Sequence, residues 1–558
     1  MKKTILSAIV LLAGASAWAQ NLNPTVEVTN IYAREATGIE KPSQLLEMPD
    51  SVLRFNLDMD YSVNPTPYQG SYEFKPYLVQ LRPQLRPSDE GMLYVRAGAG
   101  YGLHPEATVV WTPVRKEHLR LNLYADHNSY FGKYHEILPQ GKEFLPSGEA
   151  IYGDRSRTTA GLDGLFTWAG GGLVADLQYR NMAAQWGGDA NHNNTVQFKA
   201  RVKSAPGAPL DFEGGTRVAY IGLKGGDNEF HSVWDGFVGT HFGVHKVKLN
   251  LFAETVNQNM PGLGKAGFVG NFGLVPHYLL NTGKFHMDLG VKFSFLFRGD
   301  DAFCPHPGGI VFPDVRISFD LAQDVAVLYA SATGGDNIIS YDKLLSSNPY
   351  MMFCEQWRTD NMITRINACI GGRGNVAERF HYDLKVGYRW DENAWTWGAG
   401  EVILNYASSV YSELPAVASY YPRMGYASPL HTFYVNLDAG YKNEKLDIGA
   451  NVYYGYTPIP DLQGQILFAP APFRASGHAF YNWGGRIQAG ITAEGRSRLP
   501  GPMIIPGYVD LGVQAQLQMT RRLGFWIKGG NLLNQAIQRV PFFAEKGLYF
   551  TVGVTFGL

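Results

Sequence analysis

The stretch Asp300-Asp301-Ala302-Phe303-Cys304-Pro305-His306 crowds two carboxylates, a thiol and an imidazole into one short run. Such groups bind a divalent cation when their spacing lets several reach one ion. No ligand spacing of a metal site is met here, so the run reads as a polar outer loop. No metal or other cofactor is expected. Arg298-Gly299-Asp300 spells an adhesion tripeptide, but three residues carry almost no information. A hydrolase would need a nucleophile beside a base. The chain has 14 His, among them His127, His135 and His192, yet nothing ties any of them to a nucleophile. No G-x-S-x-G, H-E-x-x-H, C-x-x-C or Walker-type loop stands in a supporting context. The chain is therefore expected not to be an enzyme.

The thiols are Cys304, Cys354 and Cys369. An exported chain can oxidise them. Cys304 and Cys354 fall in expected loops and Cys369 in an expected strand, so Cys304–Cys354 is the pair to consider. Three free thiols is the alternative, because sequence does not set connectivity.

The elements that position these residues are strands. Leu548, Phe550, Val552, Val554, Phe556 and Leu558 alternate with Tyr549, Thr551, Gly553, Thr555 and Gly557. A period of two puts each set on one face of a β-strand, one apolar and the other mostly small or hydroxylic. The same rhythm recurs from Met92 onward. Val247, Leu249, Leu251 and Ala253 alternate with Lys248, Asn250, Phe252 and Glu254. Val509, Leu511, Val513 and Ala515 alternate with Asp510, Gly512 and Gln514. A soluble sandwich with this many strands around one core would exceed the usual domain size, and no linker divides the chain after residue 91. An outer-membrane barrel accounts for the pattern, its apolar face meeting lipid and its last strand closing on its first.

The rest of the composition agrees. Lys2 and Lys3, the apolar run Ile5 to Leu12 and Ala17-Trp18-Ala19 make a secretory signal over 1–19, and Gln20 argues against lipoprotein processing. No later stretch approaches the ~20 apolar residues of a membrane helix. Hydrophobic residues are 45% and aromatics 13%, with 64 Gly and only 17% charged residues, a balance that suits a barrel in lipid. The formal net charge of −1 gives no basic face for nucleic acid. Residues 20–91 hold eight prolines from Pro24 to Pro87 and read as an extended N-terminal segment with at most short strands. Residues 92–558 read as the barrel.

Counting alternating segments predicts an all-β, antiparallel transmembrane barrel of about 22 strands, with 18–20 as the alternative. Gly170-Gly171-Gly172, Asn281-Thr282-Gly283-Lys284 and Thr520-Arg521-Arg522 are predicted short turns. Residues 132–154, 334–362, 390–430 and 534–547 are predicted long loops, and 390–430 holds either an extra hairpin or one large loop. Trp111, Trp168, Trp234 and Trp526 are candidates for the aromatic belts at the bilayer surface. The polar strand faces must line water or meet something filling the lumen. A barrel of this width is usually plugged.

The stretch Tyr508 to Leu558 resembles the closing region of TonB-dependent receptors, the 22-stranded active-uptake barrels. The resemblance lies in Tyr508-Val509-Asp510-Leu511-Gly512, the basic turn Thr520-Arg521-Arg522, Gly530-Asn531-Leu532-Leu533-Asn534 and the final strand. It implies an outer-membrane location in a Gram-negative bacterium and solute uptake. It also implies contact with lipid and with the insertion machinery, for which Phe550, Val552, Val554, Phe556 and Leu558 form the C-terminal assembly signal. The chain departs from the family where a plug of well over ~100 residues is expected and about 70 are available. Val26-Glu27-Val28-Thr29 resembles the TonB-contact box only faintly. The expected function is solute uptake through a lumen occluded by loops and the N-terminal segment. A surface lipoprotein, a separate plug or a TonB-linked protein is the expected partner. The alternative is a plugless, receptor-like barrel acting as a structural subunit of an outer-membrane complex.

Overall fold

A computed structural model describes residues 28–29, 74–77, 92–101, 103–140, 143–186, 190–205, 208–260, 265–299, 308–322, 325–350, 360–377, 379–404, 417–458, 466–501 and 503–558. The signal segment, most of 20–91, the run Asp300 to His306, and both Cys304 and Cys354 lie outside the described residues. Cys369 is a free thiol, 3.2 Å from the Ser331 hydroxyl. In the N-terminal unit, Val28–Thr29 pairs antiparallel with Phe74–Tyr77.

Twenty-two strands of the second unit close into one barrel, the number predicted. The first, Leu93–Gly100, pairs antiparallel with the last, Tyr549–Gly557, in the register Gly98↔Gly553. Among the described residues the ring itself has no open edge, so every barrel strand finds its hydrogen-bonding neighbours within it.

The strand Phe285–Arg298 shows why these sequences make a wall. Val291, Phe293 and Phe295 point outward and are exposed, whereas Asp288, Lys292 and Ser294 point inward and are buried. This inverts the pattern of a soluble sheet. Apolar side chains left on the outside are stable only against lipid, and buried charges require a polar interior. The final strand follows the same rule. Phe550, Val552, Val554, Phe556 and Leu558 are 37–56% exposed, while Tyr549, Thr551 and Thr555 are buried.

The small inner residues of the final strand have a packing reason. Trp526 on the neighbouring strand Leu523–Gly530 turns inward and lies across the closing seam. A Cβ at Gly553 would meet its indole at 2.4 Å and the Ala97 carbonyl oxygen at 2.3 Å; one at Gly98 would meet the indole at 2.4 Å. Only glycine fits there. Trp526 thus leaves the set of candidate belt residues, and the Arg96 guanidinium stacks on it at 4.0 Å. Trp111, Trp168 and Trp234 face outward and are exposed.

The predicted short turns hold: Trp168 and Gly171 bound one, Asn281 and Phe285 the next, with Gly283 at φ +79°, and Gln518 and Leu523 the third. The long loops differ more. Residues 132–154 are not loop but the upper part of a hairpin, Leu119–Gln140 with Glu143–Trp168. Its strands of 22 and 26 residues far exceed the ~9–11 needed to cross a bilayer, so the ladder continues beyond the membrane where alternation is no longer required. Within 334–362, strand persists to Ile339, a helix (α1) spans Tyr341–Ser347, and strand resumes at Asp360. Within 390–430, Ala394–Leu404 and Val417–Ala427 form the extra hairpin. With Ile466–Leu467 they make a separate three-stranded sheet, while the barrel strands Phe380–Glu392 and Leu430–Lys442 pair directly.

Candidate functional site

Two connections turn into the lumen and meet there. The first carries α1. Ser340 caps it, its hydroxyl accepting from the Lys343 N–H at 3.3 Å. Asp342 in the first turn receives the guanidinium groups of Arg180 and Arg217. The Tyr341 N–H donates to the Glu229 carboxylate at 2.7 Å. Lys343 donates to Glu254 at 3.4 Å and to the Asn337 side chain, and His231 joins Glu254 at 2.8 Å. Leu344 and Leu345 complete an apolar cluster with Ile221, Leu223, Met362 and Leu430.

These partners lie far round the ring. Taking Leu93–Gly100 as the first strand, α1 leaves from the thirteenth. Arg180 stands on the fifth, Arg217 on the seventh and Glu229 on the eighth. At its far end Tyr350 reaches Tyr134 on the third, hydroxyl to hydroxyl at 3.3 Å. Nine strands stand between the third and the thirteenth in a ring of 22, so the connection spans almost half the circumference.

The second connection, residues 531–548, joins the last two strands. Asn531, at φ +45°, turns the chain inward and its side-chain amide donates to the carbonyls of Gln535 and Lys546. Arg539 is held by Glu494, by Asp510 at 3.0 Å and by the Tyr508 hydroxyl at 2.8 Å. Glu545 faces Arg155 at 3.6 Å. The Gln538 side chain donates to the Phe144 carbonyl at 2.8 Å, tying the segment to the tip of the long hairpin. Phe144 packs with Phe468, Leu499, Ile505 and Ala544. The two connections touch where Tyr350 stacks on Phe543, 5.3 Å between centroids.

Charges in these segments are tuned by their surroundings. Burial alone would raise the Asp342 carboxyl, but Arg180 and Arg217 outweigh it and hold it down at about 2. Lys546 lies 2.8 Å from the His104 imidazole, over the Tyr549 ring. Burial, reinforced by Lys528, lowers its ammonium to about 7.

Between the two connections and the wall lies a cavity of about 230 Å³. Five arginines line it, Arg155, Arg389, Arg474, Arg496 and Arg539, against two carboxylates, Asp391 and Glu545. Tyr350, Trp395, Trp397, Tyr453, Phe468 and Phe543 give it aromatic walls. A cleft with guanidinium forks and ring faces can hold an anion that also has a planar apolar part. Among the described residues, no group of three His, Cys, Asp or Glu is placed to hold a metal ion.

None of these residues is singled out as a site by the sequence; Tyr508, Asp510 and Asn531 enter there only as part of the receptor-like ending. The loop signals for 334–362 and 534–547 located both connections but not their direction. Ser340 before Tyr341-Asp342-Lys343-Leu344-Leu345 is a helix-start signal within the first. Phe550, Val552, Val554, Phe556 and Leu558, the expected assembly signal, stand together on the exposed outer face, and none of them lines the cavity.

No protein-family model and no curated protein sequence matches the chain. Solved structures do. The FrpB iron transporter from Neisseria meningitidis (F3-3 variant) superposes with a TM-score of 0.61 at 9% identity, covering 86% of this chain and 83% of that one. The siderophore receptor PirA from Acinetobacter baumannii gives 0.58 at 9% identity, over 84% and 80%. The copper transporter OprC gives 0.59 at 10% identity, over 84% and 80%. The chain thus shares its fold, a closed 22-stranded barrel, with these transporter and receptor structures.

Proposed function

We propose that this protein is an outer-membrane uptake barrel whose lumen is closed at rest by its own loops. The observation that carries the reading is the meeting of α1's connection with residues 531–548 inside a barrel of receptor fold. Both segments are held by ion pairs to the wall rather than by continuous sheet. An ion pair can exchange partners or release without unfolding the strands, whereas a β-ladder cannot. The cavity sits beside this junction, so a solute bound there touches both segments. The N-terminal segment 20–91 is proposed as a second occluding element, and lipid, the insertion machinery and a TonB-linked protein as partners.

Single-channel recording in planar bilayers tests the reading. The full chain is expected to stay closed, and deleting residues 341–350 to produce steady conductance. A deletion variant that folds yet conducts no ions would remove the reading. A second reading, a subunit within a larger surface complex, draws on the three-stranded sheet. Its strand Val417–Ala427 pairs on one side with Ala394–Leu404 and has no second neighbour among the described residues, and a sheet edge can accept a strand from another chain. A surface lipoprotein recovered with the barrel in stoichiometric amount would favour it.

A further inference from the structure

We infer that one arc of the short-turn rim is a docking surface for anionic phospholipid, with Arg379, Lys445, Arg486 and Arg522 meeting the phosphate headgroups. The short turns of such a barrel face the periplasm, so the lipid belongs to the periplasmic leaflet. Each of these cations is the residue immediately before a strand that rises from the short turns. Those strands are Phe380–Glu392, Leu446–Tyr456, Ile487–Arg496 and Leu523–Gly530, the fifteenth, seventeenth, nineteenth and twenty-first of the ring. The carbonyl of each cation is tied to the next strand. Arg379 accepts from the Lys442 N–H at 2.8 Å, Lys445 from Asn482 at 2.7 Å, Arg486 from Gln518 at 2.7 Å and Arg522 from Gly557 at 2.9 Å. The four therefore hold one equivalent position in four successive turns, and all four are exposed. Neighbouring strands lie about 4.7–4.9 Å apart, so positions two strands on recur about every 10 Å.

The rest of the rim is built differently. At the same position the other short turns carry Gly170, Leu210, Val244 and Val325, with His118 and Lys284 in the remaining two. Over the whole turns 377–379, 443–445, 484–486 and 519–522, five cations stand against two carboxylates, Glu378 and Glu444. The turns 484–486 and 519–522 hold Arg486, Arg521 and Arg522 and no acid. The five turns from 169–170 to 323–325 hold one cation, Lys284, and one carboxylate, Asp324. Solubility alone would accept charges of either sign anywhere on the rim. Cations gathered at one register position on neighbouring turns point to an anionic surface of similar extent.

The depth of the arc selects lipid. The residue after each cation is apolar: Phe380, Leu446, Ile487 and Leu523. Phe380 and Ile487 are exposed on the outer face, and so is Trp483 beside Ile487 in the ladder. The cations thus stand where the lipid-facing belt ends, the level of headgroups. A guanidinium fork matches a phosphate, and lysine adds a point charge. An acidic protein in the periplasm would complement the charge but not the adjoining apolar belt. This surface needs only a barrel in its bilayer, whether or not the barrel transports.

The probes are dioleoylphosphatidylglycerol, which is anionic, and dioleoylphosphatidylcholine, which has the same chains and no net charge. Each is titrated into the purified full chain in nonionic detergent, and bound lipid is counted by native mass spectrometry. Each Lys or Arg near an anionic surface is expected to give about a fivefold gain in lipid affinity. The phosphatidylglycerol should therefore bind at least about tenfold more tightly than the phosphatidylcholine. Arg486→Gln combined with Arg522→Gln should weaken the phosphatidylglycerol at least about tenfold and the phosphatidylcholine less than about twofold. Lys133→Gln combined with Lys224→Gln removes the same charge at the long-loop end and should leave the preference within about twofold. The comparison of the two lipids on the wild-type chain needs no variant, so it decides even if a variant does not fold. Equal affinity for the two lipids overturns the inference, and so does a preference that survives the Arg486 and Arg522 substitutions undiminished. Equal lipid affinities together with polyglutamate binding that those substitutions abolish would give the arc to an acidic protein instead.

Discussion

The strand Phe285–Arg298 and the helix Tyr341–Ser347 belong to one barrel but are held by different physics. The strand needs a repeating choice, apolar outward and polar inward, and each outward side chain could be exchanged for another apolar one. The helix depends on particular partners. Asp342 meets Arg180 and Arg217, the Tyr341 N–H meets Glu229, and Lys343 meets Glu254. A wall with a redundant code tolerates change and stays shut along its seams. A segment held by a few charge pairs can leave its seat. The difference assigns permanence to the wall and motion to the loops, and it can be tested by breaking each in turn.

The largest effect is expected at Asp342. Asp342→Ala leaves Arg180 and Arg217 without their shared carboxylate, a change that costs about 3–5 kcal/mol when one partner of a buried pair is removed. The outcome is raised conductance in planar bilayers with the barrel's Tm unchanged. A Tm that falls with closed channels would place α1 in the wall's own stability. Acid should not mimic the variant at ordinary pH. The carboxyl is depressed to about 2 from an ordinary value of 3.8. Its stabilisation is complete above about pH 4 and is lost as pH falls through about 2. Conductance governed by Asp342 should therefore be flat from pH 8 to pH 5.

The converse test attacks the wall. Val291→Arg puts a cation on the outer face near the middle of its strand, at a cost of about 2–4 kcal/mol if that point lies at the bilayer midplane. Less folded, heat-modifiable barrel should be recovered on gels, and the molecules that fold should remain closed. Open channels in that variant would show that wall and loops are not separable. A smaller effect is expected at the seam. Gly553→Ala drives a methyl group into Trp526 and the Ala97 carbonyl. Overpacking of this kind costs about 1–3 kcal/mol, read as a lower Tm without added conductance.

This contrast also explains what could be read from the chain. The wall was legible because one physical requirement, lipid outside and water inside, repeats along every strand. Val247, Leu249 and Leu251 state it locally, and the count of such runs predicts about 22 strands, with 18–20 as the alternative. The final strand was legible to the level of which side chains face out. Trp526 was not, because nothing local says whether an aromatic residue meets headgroups or two glycines on other strands. The length of the hairpin Leu119–Gln140 and Glu143–Trp168 was missed because alternation lapses outside the membrane while the ladder goes on. The site was the least legible part. Arg180, Arg217 and Asp342 are joined across up to 162 positions, and Arg474 meets Arg496 only through strand register. Long-range partners of this kind leave no periodic trace.

The smallest predicted effect separates the two loops from each other. Residues 531–548 carry Lys546, whose ammonium is lowered to about 7 from 10.5 by burial and by the nearby Lys528. A base with a depressed folded value stabilises the packed arrangement fully above about pH 10.5. That stabilisation declines as pH falls toward 7, where the packed form also takes up its proton, and changes little below. The segment should thus loosen between pH 9 and pH 6, a range in which Asp342 does not titrate. Because Lys546 keeps some contact with solvent, screening limits the effect to about 1 kcal/mol or less. Amide hydrogen exchange over residues 535–547, corrected for its intrinsic pH dependence, should rise in that interval and stay flat over 341–347. Lys546→Met should abolish the rise. Equal acceleration in both segments would mean that the Tyr350–Phe543 stack makes them one unit, and the closure would then have a single latch rather than two.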